Sequence, residues 1–158
     1  MTKPRDSASD LKKKLGECKA TKYADLPITV NIDRLPPSWA DASLVRQLFG
    51  YLLENAFKFS RPQSSPKIEI GCAPDEHANV YFIRDNGVGF DMKYADKLFG
   101  LFQKLHQVEL FEGNGAGLAL SQRILSRLGG RIWAEAKVND GATFYFSLPA
   151  ANPEPGTN

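Results

Sequence analysis

Apolar and polar positions recur with a definite period along most of the chain from residue 28 onward, and the period changes several times. Ile28, Val30 and Ile32 alternate with Thr29 and Asn31, as in a strand with two different faces, and Leu35-Pro36-Pro37 ends it. The period then shifts to that of a helix. Val45, Leu48, Phe49, Leu52, Leu53 and Ala56 form one stripe and Asp41-Ala42-Ser43 supplies a cap, which predicts a helix over 41–59. Alternation returns at 67–72, with Ile68, Ile70 and Cys72 on one face, and at 79–84, where Val80 and Phe82 alternate with Tyr81 and Ile83. Pro74-Asp75-Glu76-His77 lies between these two runs, so they read as a hairpin. A second helix is expected over 115–129. It is followed by a second hairpin of 131–136 and 142–148 around Val138-Asn139-Asp140-Gly141, in which Asp-Gly is a strong turn signal. Trp133, Phe144 and Phe146 are expected between sheet and helices. The sum is an α/β fold, a two-layer sandwich with a mixed sheet and both helices on one face.

Composition narrows the picture without changing it. At 158 residues, 42% hydrophobic and 24% charged, the chain fits one soluble domain with a real core. Residues 1–26 are polar and lysine-rich and read as a linker or frayed end, 27–150 as the domain, and 151–158 as a disordered tail. A net charge of +2, from 20 basic and 18 acidic residues, points to no nucleic-acid partner. No apolar run approaches a membrane span and the N-terminus lacks a signal-peptide core, so no direct membrane contact by this domain is expected. Cys18 and Cys72 are too few for a disulfide framework or a zinc site and read as reduced thiols of a cytoplasmic protein, which leaves room for a membrane tether upstream.

The candidate chemistry lies in two glycine clusters, Asp85-Asn86-Gly87-Val88-Gly89 and Gly113-Asn114-Gly115-Ala116-Gly117, which bracket a segment rich in Phe and Lys. The first follows a strand, placing the Asp85 carboxylate at the mouth of an uncrowded turn, where it can accept a hydrogen bond from a ligand amine. The second leads into a helix start, whose free amides and dipole favour a phosphate. Together they point to one nucleotide held at both ends. Neither the dinucleotide fingerprint nor a Gly-x-x-x-x-Gly-Lys-Ser/Thr phosphate loop is present. On the first helix, Asn55 falls at the edge of the apolar stripe with Tyr51 and Lys58 one turn to either side on the same flank, which places Asn55 and Lys58 where they would border a cleft. Glu54 projects away and reads as a solvated charge.

Asn55-Ala56-Phe57-Lys58-Phe59, then Asp85-Asn86-Gly87-Val88-Gly89-Phe90, then Leu98-Phe99-Gly100-Leu101-Phe102-Gln103-Lys104-Leu105-His106, then Gly113-Asn114-Gly115-Ala116-Gly117-Leu118-Ala119-Leu120 follow one another in this order. The series closely resembles the N, G1, F and G2 boxes of the catalytic, ATP-binding domain of bacterial sensor histidine kinases, of the GHKL superfamily. Phe-Gln-Lys-Leu-His is most similar to the phytochrome-type and hybrid members. The resemblance covers roughly 28–149 and implies a Bergerat-type sandwich with a mobile ATP lid. Residue by residue, it implies that Asn55 helps hold Mg²⁺, that Lys58 neutralises phosphate charge and that Phe59 lies beside the nucleotide. It further implies that Asp85 accepts from the adenine amino group, with Gly87 and Gly89 allowing the base to approach. Phe99 and Phe102 would anchor the lid, Lys104 would reach the γ-phosphate, and Gly113, Gly115, Gly117 and Leu118 would line the phosphates of ATP or ADP.

The resemblance has departures. Tyr51 stands where the family usually has an Asn one turn before the metal-binding Asn, Ala116 replaces a larger aliphatic residue, and the lid, roughly 102–112, is short. His77 precedes Ala78 and His106 precedes Gln107, so neither matches the family's phosphoacceptor, a histidine followed by an acidic residue. The acceptor is therefore expected on a separate helical dimerisation domain, with a response regulator downstream and this part alone a monomer. The alternative is a degenerate, non-catalytic module on the same fold. A gyrase-like, mismatch-repair or chaperone ATPase fits less well, because those place a general-base Glu where this chain has Tyr51.

Overall fold

The computed structural model describes residues 3–5, 27–33, 35, 38–74, 78–94 and 116–149. Among these, five strands form one sheet: β2 (Thr29–Ile32), β4 (Lys67–Pro74), β5 (Ala78–Asp85), β7 (Ala142–Pro149) and β6 (Ile132–Ala136), in the order β2-β4-β5-β7-β6. The β2–β4 pair is parallel and the other three pairs are antiparallel, so the sheet is mixed. Parallel neighbours need a crossover, and here it contains helix α1 (Ala42–Ser60). Two further short strands, β1 (Lys3–Arg5) and β3 (Ser38–Ala40), pair antiparallel outside the main sheet. The polar composition of 1–26 gave no sign of β1.

Helix α1 begins where expected. The Asp41 Oδ1 accepts from the Leu44 amide at 3.1 Å, and at the other end Ser60 Oγ donates to the Ala56 carbonyl at 2.8 Å one residue before Arg61-Pro62. Helix α2 (Ala116–Leu128) stops at Gly129, whose φ of +81° is left-handed. The Gly130 amide reaches back to the Leu125 carbonyl and the Gly129 amide to that of Ser126, the two bonds of a Schellman cap.

Both helices pack on one face of the sheet. Val45, Leu48, Phe49, Leu52 and Leu53 of α1 and Leu118, Ile124 and Leu125 of α2 meet Ile68, Ile70, Tyr81, Ile83, Phe144, Phe146 and Leu148 from the strands. At the centre Phe146 stacks on Tyr81 at 5.1 Å between ring centroids and takes the edge of Phe49 at 5.9 Å. Trp133 corrects the expectation from sequence. It pairs with Tyr145 and is out of phase with Phe144 and Phe146, so the pleat turns it to the other face, where it is half-buried and stacks on Tyr145 at 5.5 Å.

That outer face carries its own network. Arg84 donates to Glu69 and Thr143 and lies over Phe82, Tyr145 donates to Glu135, and Arg131 lies over Trp133. The two faces predict different costs of truncation. Phe146→Ala should destabilise the chain by about 3–5 kcal/mol and Trp133→Ala by less than about 2 kcal/mol in urea unfolding; equal costs would contradict the assignment of Trp133 to the outer face.

Candidate functional site

The sheet's central strand β5 ends at Asp85, which is 3% exposed. Its Oδ1 accepts from the Gly87 amide at 2.8 Å, while its Oδ2 is buried and accepts no hydrogen bond of good geometry from the described residues. Burial pushes the carboxyl up from 3.8 to about 6, with the amides of Gly87 and Ala142 acting in the opposite direction. A buried acceptor without a donor is costly, so a group that donates to Oδ2 would be held strongly.

The turn after Asp85 is seated on the end of α1. The Val88 amide donates to the Phe59 carbonyl at 3.2 Å, and a Cβ on Gly87 would come within 2.1 Å of that oxygen. Gly89 has a left-handed φ of +64°, and a Cβ there would meet the Lys137 carbonyl at 2.0 Å. The nearest neighbours of both glycines are therefore protein backbone. The β6–β7 turn holds the loop from the other side, where the Asn139 amide donates to the Val88 carbonyl at 2.7 Å. Asn86 fixes its base by accepting from the Lys67 amide and donating to the Ser65 carbonyl, each at 2.9 Å.

One turn before Phe59 on α1 stands Asn55, half-buried, whose Nδ2 is a second buried polar atom with no partner among the described residues. Lys58 is half-buried and engaged with a neighbour, and Phe59 is buried yet outside the main apolar cluster. One turn before Asn55, Tyr51 lies against Gly117 in the first turn of α2, with its Cβ and Cδ1 3.4 Å from where a Gly117 Cβ would be. Leu118, next to it, is buried in the core. The flank 51–59 thus runs from the start of α2 to the turn after Asp85. Phe59, Asp85 and Gly87 meet at the C-terminal end of this flank and Gly117 at its Tyr51 end, with Asn55 between. Glu54, expected as a solvated charge, is half-buried and engaged. Phe99, Phe102, Lys104, Gly113, Gly115, His77, His106 and Cys18 lie outside the described residues. The sequence puts Tyr51 on the flank of Asn55 and marks it as a departure from the family; the structure adds its contact with Gly117.

A cavity of about 450 Å³ shares Asp85 but none of Asn55, Lys58, Phe59 or Leu118. It is lined by Lys67, Glu69, Arg84, Glu135 and Thr143 and opens on the outer face. Cys72 is half-buried and its thiol is pushed up to about 11 by burial, so it stays protonated at neutral pH. Among the described residues no helix is long and apolar enough to cross a membrane, and no group of three His, Cys, Asp or Glu side chains could hold a metal.

The sequence of residues 40–152 matches the family described as histidine kinase-, DNA gyrase B- and HSP90-like ATPase. The chain belongs to this family. Cyanobacterial phytochrome A of Nostoc sp. (strain PCC 7120 / SAG 25.82 / UTEX 2576) is 38% identical over 144 residues, covering 91% of this chain and 19% of the phytochrome. The chain thus spans about a fifth of the length of such relatives. The catalytic domain of histidine kinase ThkA superposes with a TM-score of 0.78 at 20% identity, covering 94% of this chain and 97% of that one. Full-length ShkA in complex with AMPPNP gives 0.77 at 21% identity, over 95% of this chain and 31% of ShkA. The fold is therefore that of histidine kinase catalytic domains, the expected two-layer α/β sandwich.

The raised Asp85 carboxyl makes a prediction about the ATPase-family domain without ligand. The folded state binds this proton more tightly than the unfolded state, so ionising Asp85 costs stability as pH rises from 4 through 6. Asp85→Asn should therefore raise stability at pH 8 by about 2 kcal/mol, with the gain fading toward pH 4. Urea unfolding of both proteins at the two pH values checks this.

Proposed function

We propose that this chain is the Mg-ATP-binding catalytic domain of a sensor histidine kinase, donating the γ-phosphoryl group to a histidine on a separate helical dimerisation domain in two-component signalling. The observation that carries the proposal is the buried, unpartnered Oδ2 of Asp85 at one end of a helix flank whose other end meets the start of α2. An ionised carboxylate only accepts, so it selects an exocyclic amine such as that of adenine and disfavours a base presenting a carbonyl there. Phe59 borders the same turn and supplies apolar surface for the base. Family membership and the kinase relatives agree with this reading.

The phosphate end fits as well. Asn55 has an unpaired amide that donates to a phosphate oxygen through Nδ2 or, with the amide turned over, offers Oδ1 to a cation. A lone Asn suffices for Mg²⁺, which keeps waters and takes its remaining ligands from phosphates. When bound, Mg²⁺ neutralises charge on the transferring group. The chain's own part is positioning and charge: Lys58 on the same flank, the opening amides of α2 at Gly117 and Leu118, and Lys104, Gly113 and Gly115 from the segment between. The resemblance implies that Phe102 belongs to the lid over them. The base that accepts the histidine proton belongs to the acceptor domain, and the phosphorylated histidine passes its group to a response regulator. A cytoplasmic setting follows from this role.

Calorimetric titration with a non-hydrolysable ATP analogue and Mg²⁺ should give one site per chain. Asp85→Asn should weaken it at least tenfold, and lowering the pH below 6 should weaken the wild-type site progressively as the carboxyl takes a proton. Labelled phosphate should reach histidine only when an acceptor domain is added. Undiminished binding by Asp85→Asn would sink the proposal.

A further inference from the structure

β6 stands at one end of the sheet, so alternate amides along it have no neighbouring strand to bond to. The Lys137 amide donates to the Gly141 carbonyl and the Ser147 amide to the Arg131 carbonyl, which turns the odd-numbered residues toward β7 and the Ala136 amide outward. That outward amide donates to Met92 Sδ at 3.3 Å. Met92 opens a short 3₁₀ turn, Met92–Tyr94, just beyond the glycine turn, and is 44% exposed. Its sulfur is thus reachable from solvent and tied to the main chain. The contact continues toward Asp85. The Lys137 carbonyl lies against Gly89, and the Asn139 amide donates to the Val88 carbonyl at 2.7 Å. Residues 92, 89 and 88 therefore lie against 136, 137 and 139 in turn, forming a strap that runs from Met92 to the turn holding Asp85.

We propose that Met92 is an oxidation site for hydroperoxides, and that its conversion to the sulfoxide releases the β6 end of this strap and loosens the Asp85 turn. In the step, the thioether sulfur attacks the terminal oxygen of the hydroperoxide, an S–O bond forms and the O–O bond breaks. The sulfur gives up two electrons, the proton of the transferred oxygen moves to the departing one, and the peroxide leaves as water or an alcohol. With nitrogen and sulfur 3.3 Å apart, the new oxygen cannot fit between them, so the side chain must swing away from the amide. Cys72 competes poorly for the oxidant, because burial keeps its thiol protonated and the thiolate is the reactive form. The chain's other methionine is Met1, which a substitution at 92 leaves in place as a control.

The experiment exposes the isotope-labelled 158-residue chain and its Met92→Leu variant to hydrogen peroxide, then to a dithiol, which restores oxidised thiols and leaves methionine sulfoxide untouched. Peptide mass spectrometry should find one added oxygen on Met92. Sulfur is a weak acceptor, so exchange of the Ala136 amide, followed by NMR, should quicken by about threefold in the oxidised wild type. In Met92→Leu it should be quick from the outset and unmoved by peroxide, and methionine sulfoxide reductases should return the wild type to its slow rate. Titration with Mg²⁺ plus the ATP analogue, an arm that rests on the Mg-ATP reading, should show affinity lowered by about threefold after oxidation of the wild type and unchanged by peroxide in the variant. A Met92 that stays unoxidised in the folded chain while Met1 reacts would overturn the site. Ala136 exchange that is unchanged or slower after oxidation would overturn the release, and so would a variant that responds to peroxide as the wild type does. Quicker exchange with undiminished affinity would overturn the link to the Asp85 turn. A wild-type chain that binds no analogue even before oxidation would remove the nucleotide reading instead, and the exchange measurement would still decide the strap.

Discussion

The structure depends on a carboxyl group left half-satisfied at the end of its central strand. Asp85 closes β5, the middle strand of the sheet, and its two oxygens are treated differently: Oδ1 is tied to the turn that follows, Oδ2 is buried with nothing to accept from. Burial of this kind raises the energy of the ionised group, which the upward displacement of its titration records. A fold selected only for stability would place an amide or an apolar side chain here. On the proposed function, a ligand donor would relieve the cost, and the relief would become binding energy. The weakness of the empty site and the strength of the filled one are the same interaction seen twice.

Everything around Asp85 serves to keep that oxygen in place. The glycines at 87, 89 and 141 let three backbones meet: a Cβ at 87 would strike the Phe59 carbonyl, one at 89 the Lys137 carbonyl, and one at 141 the Asp85 carbonyl at 2.2 Å. The turn after β5, the end of α1 and the β6–β7 turn are thereby locked together through main-chain contacts, with hydrogen bonds from Val88 to Phe59 and from Asn139 to Val88. Main-chain contacts of this sort have few rotamers to lose, which suits a site that must hold one atom still. The glycines read from sequence as room for a base therefore have a nearer cause, room for the protein's own backbone.

The elements were legible because each has an uninterrupted period. The 3.6 repeat from Val45 to Ala56 and the Asp41 cap located α1, and Asp140-Gly141 located the last hairpin. Trp133 was misplaced because size argued for the core whereas the pleat, in phase with Tyr145, decides the face; a large aromatic ring can be half-buried on an outer face beside an arginine. The strand Lys3–Arg5 was invisible because two charged residues flanking a proline carry no period and their partner, Ser38–Ala40, is 33 or more positions away. At the site, Asp85 and Asn55 could be named from motif and spacing. What sequence could not supply is that one oxygen and one amide of these two side chains lack partners, since that follows from three elements meeting in space.

Tyr51 bears on which reaction such a site can support. Within this superfamily, the members that resemble gyrase or chaperone ATPases place a carboxylate one turn before the metal-binding Asn, where it takes a proton from water. Tyr51 at that position is not a carboxylate, and the neighbouring Glu54 is already engaged. Phosphoryl transfer to a protein side chain needs no such base on this domain, because the acceptor brings its own nucleophile and the rest is positioning and charge. On the proposed function, a site that holds Mg-ATP without activating water would keep the γ-phosphoryl group intact until an acceptor arrives.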